Sequence, residues 1–463
     1  MSLHVALLVC YSVLLLAIGL AVSRRVQSAS AFFVAGRALT PVLVFSTVLA
    51  ANIGAGSTVG ATGIGFRDGL SAWWWNGSAG IGSLLLAFWI GPRVWAQASR
   101  HGFLTTGDLL EHHFGRSVRG LISALLWLAS LSILAGQLIG IAWILHVVAG
   151  LPKWAGCAIG GGLMTTYFAA GGLLGSAWVN LVQLVVLLAG FAVALPAALS
   201  AAGGLQAILA ASAPAGHEAF WNGSASVSYV VLLVPAFMSS PGLLQKAFGA
   251  RDARAVRLGV GWNGVVLLGF AFVPALLGMA ARVQHPGIPH ELALPTLLAR
   301  DLPAGFGSIL LAAIFSAEVS TADAVLFMLA TSLSQDLYRR FVRPDATDAR
   351  VLQVARWSAV ASGVLGILLA LVTPTIVDAL KVFYAVLGAT IFVPLVAALH
   401  ARSPSRTAAL ASILAGAGAV IVRQLSGAPA DSLWQPATVG LAAAAAGYAA
   451  VSYLSRNSAS RFE

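Results

Sequence analysis

Charge is what this chain lacks most. Only 9% of its 463 residues are Asp, Glu, Lys or Arg, whereas a soluble globular protein carries about 25%. Too little charge is present to cover a water-exposed surface, so most of the exterior must face lipid. Cysteine is nearly absent as well. Cys10 and Cys157 both lie inside apolar runs and supply neither a disulfide framework nor a metal cluster. Histidine offers no better metal pair, because His112 and His113 are adjacent and point to different faces of a helix. A secretory cleavage site is missing too. The first apolar run, 3–22, is long and ends at Arg24–Arg25, which marks a spanning helix and not a removed leader.

Hydrophobic residues make up 59% of the chain, and the mean hydropathy is +0.90. A spanning helix needs roughly 20 apolar residues, and thirteen such spans are expected. They cover 3–22, 41–65, 70–95, 118–149, 152–170, 174–199, 226–246, 256–281, 304–335, 352–372, 376–400, 407–424 and 434–454. The chain reads as an all-α polytopic membrane protein.

The formal net charge of +11 would suggest a nucleic-acid partner in a soluble protein. Here the positions of the charges decide. Cytoplasmic loops carry the Lys and Arg excess, and alternating the loops from an outside N-terminus leaves only Arg67, Lys153, Arg282, Arg300, Lys381 and Arg423 outside, with twenty of the 26 basic residues inside. The excess reports topology, with an outside N-terminus, a cytoplasmic C-terminus and a place in the cell membrane.

Two spans are interrupted. The second breaks at "AANIGAGSTVGATG", 50–63, where an asparagine, four glycines, a serine and two threonines stand in an oily run. The seventh breaks at "VPAFMSSPGLLQK", 234–246, where Pro235, Ser239, Ser240, Pro241 and Gly242 oppose an unbroken hydrogen-bond ladder. A phosphate-binding loop would want a preceding strand and usually a lysine. Close packing through Gly56 and Gly60 leaves Asn52 unexplained. Breaks at matching places in two halves point to an inverted-repeat secondary transporter with its site at the membrane midplane. The halves are 41–199 and 226–400, with 1–40 and 401–463 as flanking segments.

At residue level the chain resembles the sodium/solute symporters, whose members include sodium/proline, sodium/galactose and sodium/sialic acid transporters. The resemblance covers about residues 1–425. It rests on "FFVAGR" (32–37), "LAANIGAGSTVG" (49–60), "TTGDLLEHHFG" (105–115), "AAGGLLGSAWVNLVQ" (169–183) and "LLQKAFGARD" (243–252). It continues through "SAEVSTADAVLFMLATSLSQDLYR" (316–339) and "FVPLVAALHARSPSRTAALASILAG" (392–416). The resemblance implies a leucine-transporter-like five-plus-five inverted repeat with flanking helices. It also implies sodium-coupled symport of a small organic solute by alternating access, with sodium as coupling ion, no organic cofactor and a monomeric working unit in the bilayer.

The resemblance further implies sodium ligands at the Ala50 and Ile53 carbonyls, the Ala317 carbonyl, and the Ser320 and Thr321 hydroxyls. Helical spacing agrees, because Ala317, Ser320, Thr321 and Ala324 occupy about a 100° arc of one face. Carbonyls and hydroxyls are hard oxygen donors suited to an alkali ion. Members with a second sodium site carry an aspartate where this chain has Asn180, which implies a one-sodium carrier. Asp323, just beyond Ser320, is the carboxylate left to support an ion. The solute cavity is expected beside both breaks, with Asn52, Trp75, Ser78, Gln137, Phe237, Ser239 and Ser240 as candidates. The tyrosine gate of the galactose carriers is unmatched, since that place reads Pro235–Ala236–Phe237. A proton-coupled carrier using Asp323 or Glu318 is the main alternative, and a transporter-shaped sensor a lesser one. No motif supports an enzyme.

Overall fold

The computed structural model describes residues 34–212, 218–427 and 433–459, together with Ala6, Val9, Cys10, Val13 and Gly216. Within it, 167–180, 182, 304 and 456–459 are described by backbone alone. The expected first span, 3–22, lies outside the described residues apart from four positions, and the side chain of Asn180 lies outside them too.

Among the described residues the elements are helical, and ten helices are long and apolar enough to cross a membrane. The first element, α1 (Pro41–Asn52), opens on a proline at its first position, and the Thr40 hydroxyl accepts from the Leu43 amide at 3.4 Å. At 12 residues α1 is too short to cross alone, because the chain unwinds at Ile53. A π-helical turn (Gly56–Gly60) then leads into α2 (Ala61–Asp68).

Next come α3 (Trp73–Leu85) and α4 (Gly91–His101), and then a short helix, α5 (Thr106–Phe114). Helix α5 starts on a capping box in which the Thr105 and Asp108 side chains each serve the other's backbone amide. The 34-residue α6 (Arg116–Ala149) follows. The spans expected at 152–170 and 174–199 share one helical element, α7 (Lys153–Ala201), which is a correction to the sequence reading. Its Gly-rich middle keeps helical backbone because flexible glycine tolerates helix as well as turn. Only Gln183–Ala201 of it counts among the ten spans.

After the short α8 (Leu205–Ser212), the second half begins with α9 (Gly223–Ser239), stops at Ser240 and resumes as α10 (Pro241–Phe248). The break is narrower than the sequence suggested. Pro235 sits inside α9, and the Ser239 hydroxyl donates to its carbonyl at 2.7 Å. Then follow α11 (Ala253–Phe270), α12 (Phe272–Gln284), α13 (Ala293–Arg300), α14 (Ala304–Thr331), α15 (Asp348–Val372), α16 (Ile376–Leu387), α17 (Val393–His400), α18 (Arg406–Leu425) and α19 (Pro436–Ala459).

Burial orders these helices. The most apolar window of the span containing α14 is 89% buried inside the protein, and that of α19 only 17%. Helix α14 is therefore the central element, while α18 and α19 pair at the periphery and turn their remaining surface to lipid. Small residues permit the tight crossings that lipid-facing helices need, since no hydrophobic force drives helices together in a bilayer. A β-carbon at Gly278 of α12 would lie 2.2 Å from the Thr62 carbonyl, so α2 and α12 touch backbone to backbone.

Candidate functional site at the two helix breaks

Unwinding at Ile53 (φ −101°, ψ 88°) strips the chain of helical hydrogen bonds where no water can replace them. Each freed group must find another partner. The Ala55 amide donates to Gln137 Oε1 at 2.8 Å. The Gly54 carbonyl accepts from the Ser57 and Thr58 amides and from the Thr58 hydroxyl, at 2.9, 3.0 and 2.9 Å. Just beyond, the Gly56 carbonyl accepts from Trp75 Nε1 and the Ser57 carbonyl from Asn76 Nδ2, both at 2.9 Å. The "WWWN" tract and Gln137 thus hold the broken strip open.

Helix α14 closes the other side of the strip. The Thr321 hydroxyl donates to the Ala50 carbonyl at 2.8 Å, across 271 residues of sequence. Ala317, Ser320 and Thr321 are all at most 4% exposed, and Ile53 is fully buried. Gly54 is pressed against this contact, since a β-carbon there would fall 2.4 Å from Thr321 Oγ1 and 2.5 Å from Gln137 Oε1. A turn lower in sequence, Glu318 is fully buried. It accepts from the Thr58 hydroxyl at 2.8 Å and so ties the second half of the broken helix to α14.

A small cavity of about 40 Å³ lies between the two breaks. Three of the sequence candidates line it: Asn52, Phe237 and Ser240. Asn52 also donates to Asn263 Oδ1 on α11 at 3.1 Å. The other four candidates do not line this cavity. Trp75 and Gln137 serve the broken strip, Ser239 bonds within its own helix, and Ser78 is fully buried. Sequence reasoning missed Lys246 on α10 and Phe383 and Tyr384 on α16, all of which line the space. Tyr384 forms a wall, its ring centroid 5.5 Å from that of Phe237 and 6.3 Å from that of Trp75. The missed signal for Lys246 was its place four residues after Gly242, on the face of α10 that starts at the break. It had been counted only as a positive charge at the inner surface.

One end of the bundle, where α5 and α6 meet the end of the span containing α14, is clamped by ions. Arg119 of α6 contacts Asp108 at 2.7 Å, Glu111 at 2.9 Å and Asp336 at 2.7 Å, and Arg340 also pairs with Glu111. Burial pushes the Glu111 carboxyl upward, but hydrogen bonds from Arg340 and Arg119 outweigh it and leave the group below the usual carboxylate range.

The family model of the sodium:solute symporters matches residues 32–416. The chain belongs to the sodium:solute symporter family. Among its relatives is the sodium/pantothenate symporter of Escherichia coli K12, 29% identical over 451 residues, which are 90% of this chain and 89% of that one. The high-affinity proline transporter PutP of Bacillus subtilis is 23% identical, over 88% of this chain and 89% of that one. A sodium-coupled sialic acid symporter, solved in a substrate-bound outward-open state, superposes with a TM-score of 0.83 at 17% identity, over 97% of this chain and 98% of that one. The leucine-transporter-like fold that the family resemblance implied is therefore the fold present. Like the rest of its family, this symporter is a multi-pass membrane protein, a transporter and not an enzyme, that couples the passage of a small solute to sodium. The proton-coupled and sensor alternatives are not favoured by these relatives.

Proposed function

We propose that sodium binds between the broken first core helix and α14, held by the Ala50, Ile53 and Ala317 carbonyls and the Ser320 and Thr321 hydroxyls. The solute occupies the adjoining cavity. The contact between the Thr321 hydroxyl and the Ala50 carbonyl, 2.8 Å, carries this reading. It brings two hard oxygens, one from the broken helix and one from the facing α14, to one point, where an alkali ion can replace the hydrogen bond with two ligand bonds. Asp323, 4% exposed and one turn along α14, supports the site without entering it. With Asn180 in place of a carboxylate, one sodium accompanies each solute. The halves 41–199 and 226–400 rock about this site, 1–40 and 401–463 flank them, and a single chain suffices. One charge crossing 100 mV supplies about 2.3 kcal/mol, enough for roughly fifty-fold accumulation before the sodium gradient is counted.

Uptake by proteoliposomes with and without a sodium gradient tests the reading. Ser320→Ala and Thr321→Ala are each expected to raise the sodium half-saturation by about tenfold or more, with the melting temperature little changed. Unchanged half-saturation in both variants overturns the site.

Orientation has its own test. The basic loop from Arg339 to Arg350 is placed in the cytoplasm, so a cysteine introduced there, with Cys10 and Cys157 replaced, should react only with permeant thiol reagents. Labelling of intact cells by an impermeant reagent would reverse the topology.

A further inference from the structure

Within the cavity proposed above for the solute, one side chain is out of keeping with its surroundings. Lys246 lines the space yet is only 4% exposed, so its ammonium does not reach out to bulk water. It makes no hydrogen bond or close ion pair with any described residue, and the charge that acts on it is Asp323 across the cavity wall. A desolvated ammonium without a hydrogen-bonding partner costs several kcal/mol, and such a group persists where a ligand completes it.

A second feature converges on the same space. Helix α10 begins at the break, and its first residues, Ser240, Gly242 and Leu243, line the cavity. The positive end of a helix dipole therefore faces the space, and Lys246 follows one turn later on the same face of α10. Apart from Asn52, the remaining walls are apolar or aromatic, among them Ile133, Phe237, Met328 and Phe383.

From this juxtaposition we infer that the transported solute is a monocarboxylate with an apolar body, its carboxylate seated between Lys246 and the start of α10. Lys246 supplies a single positive charge, enough to pair with one carboxylate and not with two negative charges, which disfavours phosphate esters and dicarboxylates. Asp323 acts on Lys246 only through its charge and makes no hydrogen bond or close ion pair with it, so the ammonium is left for the solute carboxylate to pair with. The inference rests on the symport reading of the cavity and adds the class of its cargo.

The test uses wild-type protein in proteoliposomes under an imposed sodium gradient. It is offered matched sets of aliphatic and aryl monocarboxylates, their primary amides and the corresponding amines. Uptake confined to the acids is the expected result. Lys246→Gln should raise the half-saturation of the best acid by about ten- to hundredfold with the sodium half-saturation unchanged, and Lys246→Arg should restore most of the affinity. Uptake of an amide or amine as fast as its acid overturns the inference, as does an unchanged half-saturation in Lys246→Gln or a panel in which no acid is carried. The wild-type selectivity stands by itself if the glutamine variant does not fold. Acid-selective uptake without sodium dependence would strike the coupling and leave the anion site in place.

Discussion

Gly54→Ala is expected to abolish efficient sodium coupling while the protein still folds and inserts. The added methyl would lie 2.4 Å from Thr321 Oγ1, 2.6 Å from Thr321 Cβ and 2.5 Å from Gln137 Oε1, distances that no real β-carbon tolerates. Something must move, and everything close enough to move belongs to the site. Pushing Thr321 away separates it from the Ala50 carbonyl, and pushing Gln137 away strips the Ala55 amide of its acceptor. Overpacking of this kind costs about 1–3 kcal/mol, which corresponds to a five- to hundredfold weaker sodium affinity. Sodium titration of uptake, and of thermal stabilisation by sodium, reads the effect directly. Gly418→Ala on the peripheral α18 is the control, since a β-carbon there meets nothing within 4 Å. Wild-type sodium affinity in Gly54→Ala would show that the strip is not where the ion binds.

Arg119→Ala acts on stability. Its guanidinium, 8% exposed, joins Asp108 and Glu111 of α5 to Asp336 near the C-terminal end of the span containing α14. The Thr105 hydroxyl meets the same Asp336 oxygen at 2.5 Å. Removing one partner from a buried ionic cluster costs about 3–5 kcal/mol because the remaining charges are left uncompensated. Here three carboxylates would face one another, and Arg340 reaches only Glu111. A marked fall in melting temperature in detergent is expected, with partial recovery in Arg119→Lys, whose single ammonium cannot fork to three partners. Acid should mimic the lesion. Glu111 is held below its usual value, so its contribution is complete above the ordinary carboxylate range and is lost as pH falls through the folded value. An unchanged melting curve for Arg119→Ala would mean that the cluster is solvated and dispensable.

How far each feature could be read in advance depended on whether it is local. The scarcity of charge named lipid as the solvent. Asn52 beside the glycines of 54–60, and Pro241–Gly242 after two serines, marked the places where helical backbone fails. These are properties of a few neighbouring residues. The same locality misplaced Pro235, which reads as a breaker but lies within α9. It also divided α7 in two, since glycine permits a turn without requiring one.

The sequence by itself thus determined the solvent, the two breaks and, through its motifs, the family. Tertiary structure alone decided which groups meet. Gln137 reaches the Ala55 amide across 82 residues and Thr321 the Ala50 carbonyl across 271. Lys246 was a surface charge in the sequence and is a cavity wall in the fold. The physical reason is the bilayer. In water an apolar stripe shows which face of a helix packs inward, but in lipid both faces are apolar, so the stripe fades and little in the local pattern tells one face from the other. Partners are then chosen by how closely small residues let the helices cross, and those crossings exist only once the whole bundle has assembled.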